Sequence, residues 1–528
     1  MNRRLYCILF SFTGLMLLHL PVLAQKSNGN AHPNIIIIYA DDLGYADVSC
    51  YGGKSISTPN IDQLASRGLL FTNAHATAST CTPSRFSILT GKYAWRKEGT
   101  GIARGNAHLL IDTNRVTVAS MLQQAGYYTG AVGKWHLGLG PLEGPDWNGI
   151  IAPGPNEIGF NHYFLMPATP DRVPCVYVED HHVVNLDPTD PITVDYDHPV
   201  GNWPTGKDHP ELLKMKSSHG HDNTIINGIG RIGWMTGGKA ALWTDSTIAE
   251  VMLGKAISFI EDHKDHPFFL YFASHDIHVP RVPGRQFVGK SGMGARGDEI
   301  LELDWEVGEI VKTLKNLQLL DNTIIVFSSD NGPVLDDGYV DGAVEGALHP
   351  KPITLKGKTL ANRPAHLPAG PYRGGKYSIF DGGTKVPFIV SWPGTIKPGK
   401  SNALISQADL LSSFASLTGV QLKADDGPDS FDMINVLLGK TEKGRKNLVE
   451  QGNPLALVEG NWKYIEPHKG PKVNKNVNIE LGNDLNPQLY DLNKDPGEKN
   501  NVASQYPDKV KQMANELEKI KADGRSRE

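Results

Sequence analysis

A run of apolar, mostly β-branched residues from Asn34 to Ala40 (NIIIIYA) constrains the fold more than any other feature of this sequence. Four consecutive isoleucines leave no polar face, so the run predicts a strand that is buried on both sides. Two further segments have the same character, Pro267–Ala273 (PFFLYFA) and Thr323–Ser329 (TIIVFSS). Strands of this kind belong to parallel sheets whose two faces are covered by helices.

Amphipathic helical patterns separate these strands, at Ile61–Arg67, Val116–Gln124, Thr247–Asp262 and Ile300–Leu317. The alternation predicts an α/β fold with a large, mainly parallel central sheet flanked by helices. Residues 161–245 are rich in Pro, Gly, His and Trp and lack periodicity, which predicts loops that shape a pocket over the sheet edge.

The sequence becomes turn-rich after Leu417, and it then shows short strand patterns near 455–465 and 488–492 and a charged helical pattern at 507–521. We therefore expect a main domain over residues 25–425 and a smaller α+β C-terminal subdomain over residues 426–528.

The start of the chain has the pattern of an export signal. Arg3 and Arg4 precede the apolar run Leu5–Leu20, and a V-x-A cleavage pattern ends at Ala24. We expect residues 1–24 to be a removed signal peptide, which predicts a periplasmic or extracellular protein. A membrane anchor is the alternative, but the run is short for a bilayer span. The formal net charge of -5 gives no reason to expect nucleic acid as a partner.

Cleavage after Ala24 would remove Cys7 and leave an odd set of three cysteines: Cys50, Cys81 and Cys175. Cys50 and Cys175 could form a disulfide or remain buried thiols, and the sequence leaves both possibilities open. An odd count calls for another explanation of at least one cysteine.

Polar residues follow each of the three predicted strands: Asp41 and Asp42, then His275 and His278, then Asp330 and Asn331. Ligands of parallel sheets collect beyond the carboxyl ends of the strands. The two Asp/Asn pairs form an all-oxygen set that suits a hard divalent cation. The alternative is capping and turn chemistry, because Asp and Asn are common after strands.

Two longer segments are distinctive: Cys81–Gly91 (CTPSRFSILTG) and Gly126–Gly138 (GYYTGAVGKWHLG). They resemble the signatures of the formylglycine-dependent sulfatase family, of the alkaline phosphatase superfamily. The likeness is greatest to the arylsulfatase A and N-acetylgalactosamine-6-sulfatase branch, and Leu489–Glu498 (LYDLNKDPGE) extends it to the C-terminal part. It implies an alkaline-phosphatase-like fold with a catalytic domain over residues 25–425.

The resemblance implies that a maturation enzyme oxidises Cys81 to formylglycine, whose hydrate attacks sulfur and later releases sulfate as the aldehyde reforms. It also implies calcium at the two Asp/Asn pairs, with Arg85 ordering the site, Lys134 neutralising a sulfate oxygen and His136 acting on the hydroxyl. His278 would be the acid to the leaving oxygen, and Lys376 would act beside it. Asp381 stands where the family more often has glutamate, a change that concerns the loop.

The family likeness further implies a sulfated saccharide substrate with galactose or N-acetylgalactosamine units. We expect Asp171, Arg172 and His275 to contact it, while other rings of the loop-rich stretch could pack on sugars or in the core: His181, His182, Trp203, Trp234 and Trp243. Two alternatives remain: a phosphomonoester or phosphonate monoester hydrolase of the same superfamily, and a non-catalytic protein that binds sulfated glycans.

Overall fold

The computed structural model describes residues 32–355 and 358–527. The predicted signal peptide and its cleavage site therefore lie outside the described residues. None of the helices in the described ranges is long and apolar enough to cross a membrane.

A ten-stranded mixed sheet forms the centre of the fold. In chain order its strands are β1 (Asn34–Ala40), β2 (Gly68–Phe71), β3 (Tyr128–Lys134), β4 (His162–Met166), β5 (Val178–Glu179), β6 (His182–Val183), β7 (Phe268–Ala273), β8 (Thr323–Ser329), β9 (Phe388–Ser391) and β10 (Gly399–Ser401). Their spatial order is β10-β2-β9-β8-β1-β7-β3-β4-β5-β6.

The middle of this sheet is parallel and its flanks are largely antiparallel. Strands β8, β1, β7, β3 and β4 run parallel, whereas β9 pairs antiparallel with both of its neighbours and β5 pairs antiparallel with β4 and β6. Every residue of β1 and β8 is buried, as their uninterrupted apolar runs predict. The predicted α/β class is confirmed, with a mixed rather than a wholly parallel sheet.

Helices accompany the sheet, and the predicted amphipathic segments are all helical. The helices are α1 (Pro59–Ser66), α2 (Cys81–Thr90), α3 (Val118–Gln124), α4 (Ile248–Asp262), α5 (Gly294–Asn316), α6 (Ala343–Leu348), α7 (Asp381–Thr384), α8 (Leu410–Thr418), α9 (Ile434–Leu437) and α10 (Pro507–Ala522). The largest difference from the sequence is that α5 begins at Gly294 rather than at Ile300.

A second, antiparallel sheet lies in the C-terminal part, with the order β11 (Asn447–Gln451), β12 (Leu455–Glu459), β13 (Trp462–Ile465) and β14 (Gln488–Asp491). Met513, Leu517 and Ile520 of α10 share a buried apolar cluster with residues of this sheet. Their spacing places them on one face of the helix, which explains why a charged segment folds there.

Short two-stranded pairs complete the described chain. They are Ala74–His75 with Ile405–Ser406, Thr193–Asp195 with Trp234–Thr236, Ile225–Ile226 with Ile229–Gly230, Ile353–Leu355 with Lys358–Leu360, and Val473–Asn474 with Ile479–Glu480.

Candidate active site

The candidate site lies beyond the carboxyl ends of three adjacent parallel strands. Strand β1 lies between β7 and β8, and its residues Tyr39 and Ala40 pair with Ala273 and Ser329 respectively. The polar residues that follow the three strands are therefore brought together by the register of the sheet.

An oxygen-rich group occupies this edge, formed by the completely buried side chains of Asp41, Asp42, Asp330 and Asn331. Asn331 Nδ2 donates to Asp42 Oδ1 at 2.8 Å, and the Asp42 backbone amide donates to Asp330 Oδ1 at 3.2 Å. Asp41 Oδ1 and Asn331 Oδ1 are buried without a hydrogen-bond partner. Unpartnered buried oxygens are costly, so this donor set fits a hard cation such as calcium.

Two cationic side chains, Lys134 and Arg85, pair with two of these carboxylates. Lys134 Nζ lies 2.5 Å from Asp41 Oδ2, and Arg85 Nη2 lies 2.7 Å from Asp330 Oδ2. Burial raises the pKa of Asp41 and Asp42. Burial acts the same way on Asp330, but Arg85 and Lys134 outweigh it and hold the pKa of that carboxyl below its usual value. Among Asp41, Asp42 and Asp330, Asp330 is thus the carboxylate that its surroundings keep in its charged form.

Cys81 is the first residue of α2, where the positive end of the helix favours an anion. Its Sγ lies 3.1 Å from His136 Nδ1, and His136 Nε2 lies 2.9 Å from the carbonyl oxygen of Ala103. A carbonyl can only accept, so Nε2 carries the proton and Nδ1 faces Cys81 with its lone pair. Burial, with Lys134 nearby, lowers the pKa of His136 well below its usual value and favours this neutral form.

Lys376 and His278 form a second group of polar side chains that lines the site. Lys376 Nζ lies 2.8 Å from Asp42 Oδ2, 2.8 Å from Asp337 Oδ2 and 3.2 Å from His278 Nε2. His278 Nδ1 donates to the Val279 carbonyl at 2.7 Å, so Nε2 accepts the proton that Lys376 shares. Burial and Lys376 hold the pKa of His278 low, so the ammonium of Lys376 is the proton donor of this pair.

A cavity of about 220 Å³ opens onto these groups. Its lining residues are Cys81, Ile102, Asp171, Arg172, His219, His221, Ile232, His278, Asp337, Lys376, Tyr377, Asn474, Asn476 and Val477. Five of them come from the loop-rich stretch at 161–245, as the sequence predicts.

Asp171 and Arg172 line the cavity, and sequence reasoning missed the partner of Asp171. His221 Nε2 lies 3.0 Å from Asp171 Oδ2, while Arg172 Nη1 lies 3.0 Å from Asp171 Oδ1. His221 and Asp337 follow no strand and stand in no signature segment, so the sequence offered no signal for either of them.

Several candidate side chains lie away from this cavity. His275 is buried, with Nε2 3.5 Å from Asp276 Oδ1, and burial lowers its pKa to about 4. Trp243 is buried against Tyr177, and none of the other candidate rings of the loop-rich stretch lines the cavity: His181, His182, Trp203 and Trp234. Cys50 and Cys175 are free thiols, so the disulfide possibility is excluded.

Comparisons with known proteins cover most of the chain. A family model for sulfatases matches residues 33–420, and a model described as N-sulphoglucosamine sulphohydrolase, C-terminal, matches residues 375–523. The N-acetylgalactosamine-6-O-sulfatase of Bacteroides thetaiotaomicron is 57% identical over 501 residues, covering 94% of this chain and 95% of that protein. Human arylsulfatase A is 32% identical over 511 residues, covering 93% and 88% of the two chains.

Solved structures are also similar to this chain. One from work on glycosaminoglycan metabolism by Bacteroides thetaiotaomicron has a TM-score of 0.89 at 57% identity, covering 93% of this chain and 99% of that one. A phosphonate monoester hydrolase of Agrobacterium radiobacter has a TM-score of 0.54 at 18% identity, covering 93% and 96% of the two chains, which shows a shared fold.

Proposed function

This chain belongs to the sulfatase family, and we propose that it hydrolyses the 6-O-sulfate ester of N-acetylgalactosamine or galactose units in a sulfated glycan. It is a sulfuric ester hydrolase. The observation that carries the proposal is the convergence of Cys81, His278, Lys376 and Asp171 on one cavity beyond the sheet edge. The 57% identity to an N-acetylgalactosamine-6-O-sulfatase supports the choice of sugar and position.

The proposed nucleophile is a formylglycine made from Cys81. Burial raises the pKa of the Cys81 thiol, so the unmodified side chain is a protonated and weakly nucleophilic thiol. Hydrated formylglycine would supply an oxygen nucleophile at the same place. Cys81 is only 1% exposed, so a maturation enzyme would have to reach it before the fold is complete.

Asp41, Asp42, Asp330 and Asn331 are proposed to hold calcium, which would polarise a sulfate oxygen. The buried site has four carboxylates and three cationic side chains, namely Asp41, Asp42, Asp330, Asp337, Arg85, Lys134 and Lys376. Its formal charge is therefore one negative unit. A divalent cation would turn this into one positive unit, which matches the single negative charge of a sulfate monoester.

His136 is proposed to act as the base at the nucleophile. Its unprotonated Nδ1 faces the Cys81 side chain at 3.1 Å, within reach of a proton on that side chain. Lys134 and Arg85 hold Asp41 and Asp330 in place, and Lys134 would also offset charge on the sulfate.

The leaving oxygen is proposed to receive its proton from the Lys376–His278 pair. Because Nε2 of neutral His278 accepts from Lys376 Nζ, the ammonium of Lys376 carries the proton and His278 orients it. This refines the expectation of His278 as the acid into a role shared by the two residues.

The saccharide is proposed to lie against Asp171, Arg172 and His221. Asp171 accepts from both neighbours, so its position is fixed before a ligand binds. Burial raises the pKa of Asp171, but Arg172 and His221 outweigh burial and hold that pKa well below its usual value. The charged carboxylate can therefore accept hydrogen bonds from sugar hydroxyls. His275 has no place in this subsite because it does not line the cavity.

We further propose that the enzyme is exported, as the pattern of residues 1–24 predicts.

The test combines peptide mass spectrometry of Cys81 with release of sulfate from defined saccharides, using protein exported by its native host and Cys81→Ala as control. We expect an aldehyde at Cys81 and preference for 6-sulfated over 4-sulfated N-acetylgalactosamine. Faster turnover of phosphate or phosphonate esters would favour the other hydrolase, and saccharide binding without turnover in converted protein would favour a binding role. Ester hydrolysis by protein with unmodified Cys81 would overturn the proposed nucleophile.

A further inference from the structure

A buried group of charged side chains lies where the C-terminal sheet meets α7. We call it the Lys463 cluster, and its members are His75, Asp381, Glu450, Lys463 and Glu498. All five side chains are buried. The five residues come from distant parts of the chain, and the mechanism proposed above uses none of them.

Lys463 supplies the positive charge at the centre of this cluster. Its Nζ lies 2.8 Å from Asp381 Oδ1, 2.8 Å from Glu450 Oε2 and 3.4 Å from Glu498 Oε1. One ligand atom from each of His75, Asp381 and Glu450 lies within 4.8 Å of the others, a spacing that could hold a metal. The ammonium already bonds two of these carboxylates, so the cluster is an internal ion group rather than an open cation site.

The Lys463 cluster contacts the first turn of α7 through Glu498, a residue of the C-terminal part of the chain. Glu498 Oε2 accepts a hydrogen bond from the Asp381 backbone amide at 2.6 Å. The next amide, that of Gly382, donates to the Arg373 carbonyl at 2.8 Å. Arg373 Nη1 donates in turn to the Glu498 carbonyl at 2.6 Å, which closes a ring of contacts around the loop that carries Lys376.

The two glycines of α7, Gly382 and Gly383, pack directly against the backbone on either side of Lys376. A Cβ on Gly382 would lie 2.4 Å from the Arg373 oxygen, and one on Gly383 would lie 2.1 Å from the Ser378 oxygen. These contacts leave no room for a side chain, so a shift of α7 must move the backbone on either side of Lys376.

The same turn also contacts the segment that carries the proposed metal ligands. The Gly332 amide, directly after Asn331, donates to the Gly383 carbonyl at 2.8 Å. The Tyr377 amide donates to the Ser79 carbonyl at 2.8 Å, two residues before Cys81. Helix α7 and the Lys376 loop therefore touch both neighbouring parts of the site.

We propose that Glu498, held by Lys463, is a positioning residue that fixes α7 and thereby places Lys376 against Asp42 and His278. This inference rests on the proposed function, in which Lys376 acts at the leaving group. It also gives a physical reason for the Gly-Gly pair after Lys376 and for the acidic end of the LYDLNKDPGE segment.

The test compares Glu498→Ala with Glu498→Gln, each made in the wild type and in Lys376→Ala. Gln keeps an oxygen that can accept from the Asp381 amide, so it should rescue most of the activity. Glu498→Ala should lower kcat/KM by about 10- to 100-fold, the scale expected for a misplacement of about 1 Å. In the Lys376→Ala background the same change should have little further effect, because the residue through which Glu498 acts is gone.

Glu466→Ala is the matched control. Glu466 also accepts from a backbone amide, that of Leu455, and pairs with a lysine, Lys521, in the same C-terminal part. It has no contact with α7 among those described, so its loss should change stability without changing kcat/KM.

A crystal structure of Glu498→Ala provides a readout that does not depend on the substrate. We expect Lys376 Nζ to leave its 2.8 Å contacts with Asp42 and Asp337. Unchanged contacts, equal losses in both Lys376 backgrounds, or lower stability at normal kcat/KM would each overturn the inference. Failure to release sulfate by the wild type would count against the proposed function alone, and the crystal structure would still decide the role of Glu498.

Discussion

Replacing His136 tests the chemistry at the nucleophile most directly. His136 has φ of 58°, a left-handed conformation that Asn adopts more readily than Ala, so His136→Asn is the least disruptive change. The amide has no basic nitrogen to take a proton from the nucleophile. Loss of a general base typically lowers kcat by about 10² to 10⁴-fold. The variant also removes the 2.9 Å partner of the Ala103 carbonyl, which costs about 1–3 kcal/mol of folding free energy.

The assay measures kcat for sulfate release, the converted fraction of Cys81 by mass spectrometry, and the free energy of unfolding from denaturant titration. The loss in kcat must be seen in folded, fully converted protein, because incomplete maturation would imitate it. A kcat close to that of the wild type, at full conversion, would refute the assignment of His136 as the base.

Three further outcomes are expected from other parts of the structure. Calcium at 100 times its Kd should raise the free energy of unfolding by about 2.7 kcal/mol, and Asp42→Asn should remove most of that increase in denaturant titrations. Asp171→Asn and His221→Ala should raise KM for the sulfated saccharide while leaving the kinetics on a sugar-free aryl sulfate nearly unchanged. Burial, with Asp381 nearby, raises the pKa of Glu498 to about 8 despite the opposing charge of Lys463. The stabilisation from its proton is complete below the unfolded pKa of about 4.3 and is lost as pH rises through about 8. Raising the pH from about 6 to about 9 should therefore lower the free energy of unfolding of the wild type more than that of Glu498→Gln.

Each of these outcomes has a contrary result. An equal calcium shift in Asp42→Asn would place the ion elsewhere. Equal losses of Asp171→Asn on both substrates would indicate a general defect rather than a lost sugar contact. Parallel pH curves for the wild type and Glu498→Gln would show that Glu498 does not titrate in this range.

The central strands were predictable because their signal is local. The bounds of β1 and β8 coincide with the apolar runs at Asn34–Ala40 and Thr323–Ser329, since a strand buried on both faces leaves no polar position inside the run. The short flanking strand β9 (Phe388–Ser391) has only four residues and no distinctive period. Its antiparallel direction is set by the neighbours it meets in the sheet, and the sequence does not encode that direction locally.

In the site as well, the residues that follow a local sequence signal were predicted, and the residues whose position depends on the whole fold were missed. The four proposed metal ligands directly follow β1 and β8, so locating the strands located the ligands. His221 and Asp337 reach the cavity through loops whose path depends on the whole fold. Lys463 and Glu498 lie 35 positions apart in the sequence, and no local pattern shows that their side chains are buried together.

The protonation of the two site histidines lies beyond sequence analysis for a further reason. The partners that fix it are backbone carbonyls, at Ala103 for His136 and at Val279 for His278. Any residue could supply such a carbonyl, so the identity of Ala103 or Val279 carries no signal. The sequence can name the two histidines, but only the fold shows that each turns an unprotonated nitrogen toward the site. That arrangement makes His136 an acceptor beside Cys81 and leaves Lys376 as the donor beside His278, so the two sides of the site are chemically opposite although each presents a neutral histidine.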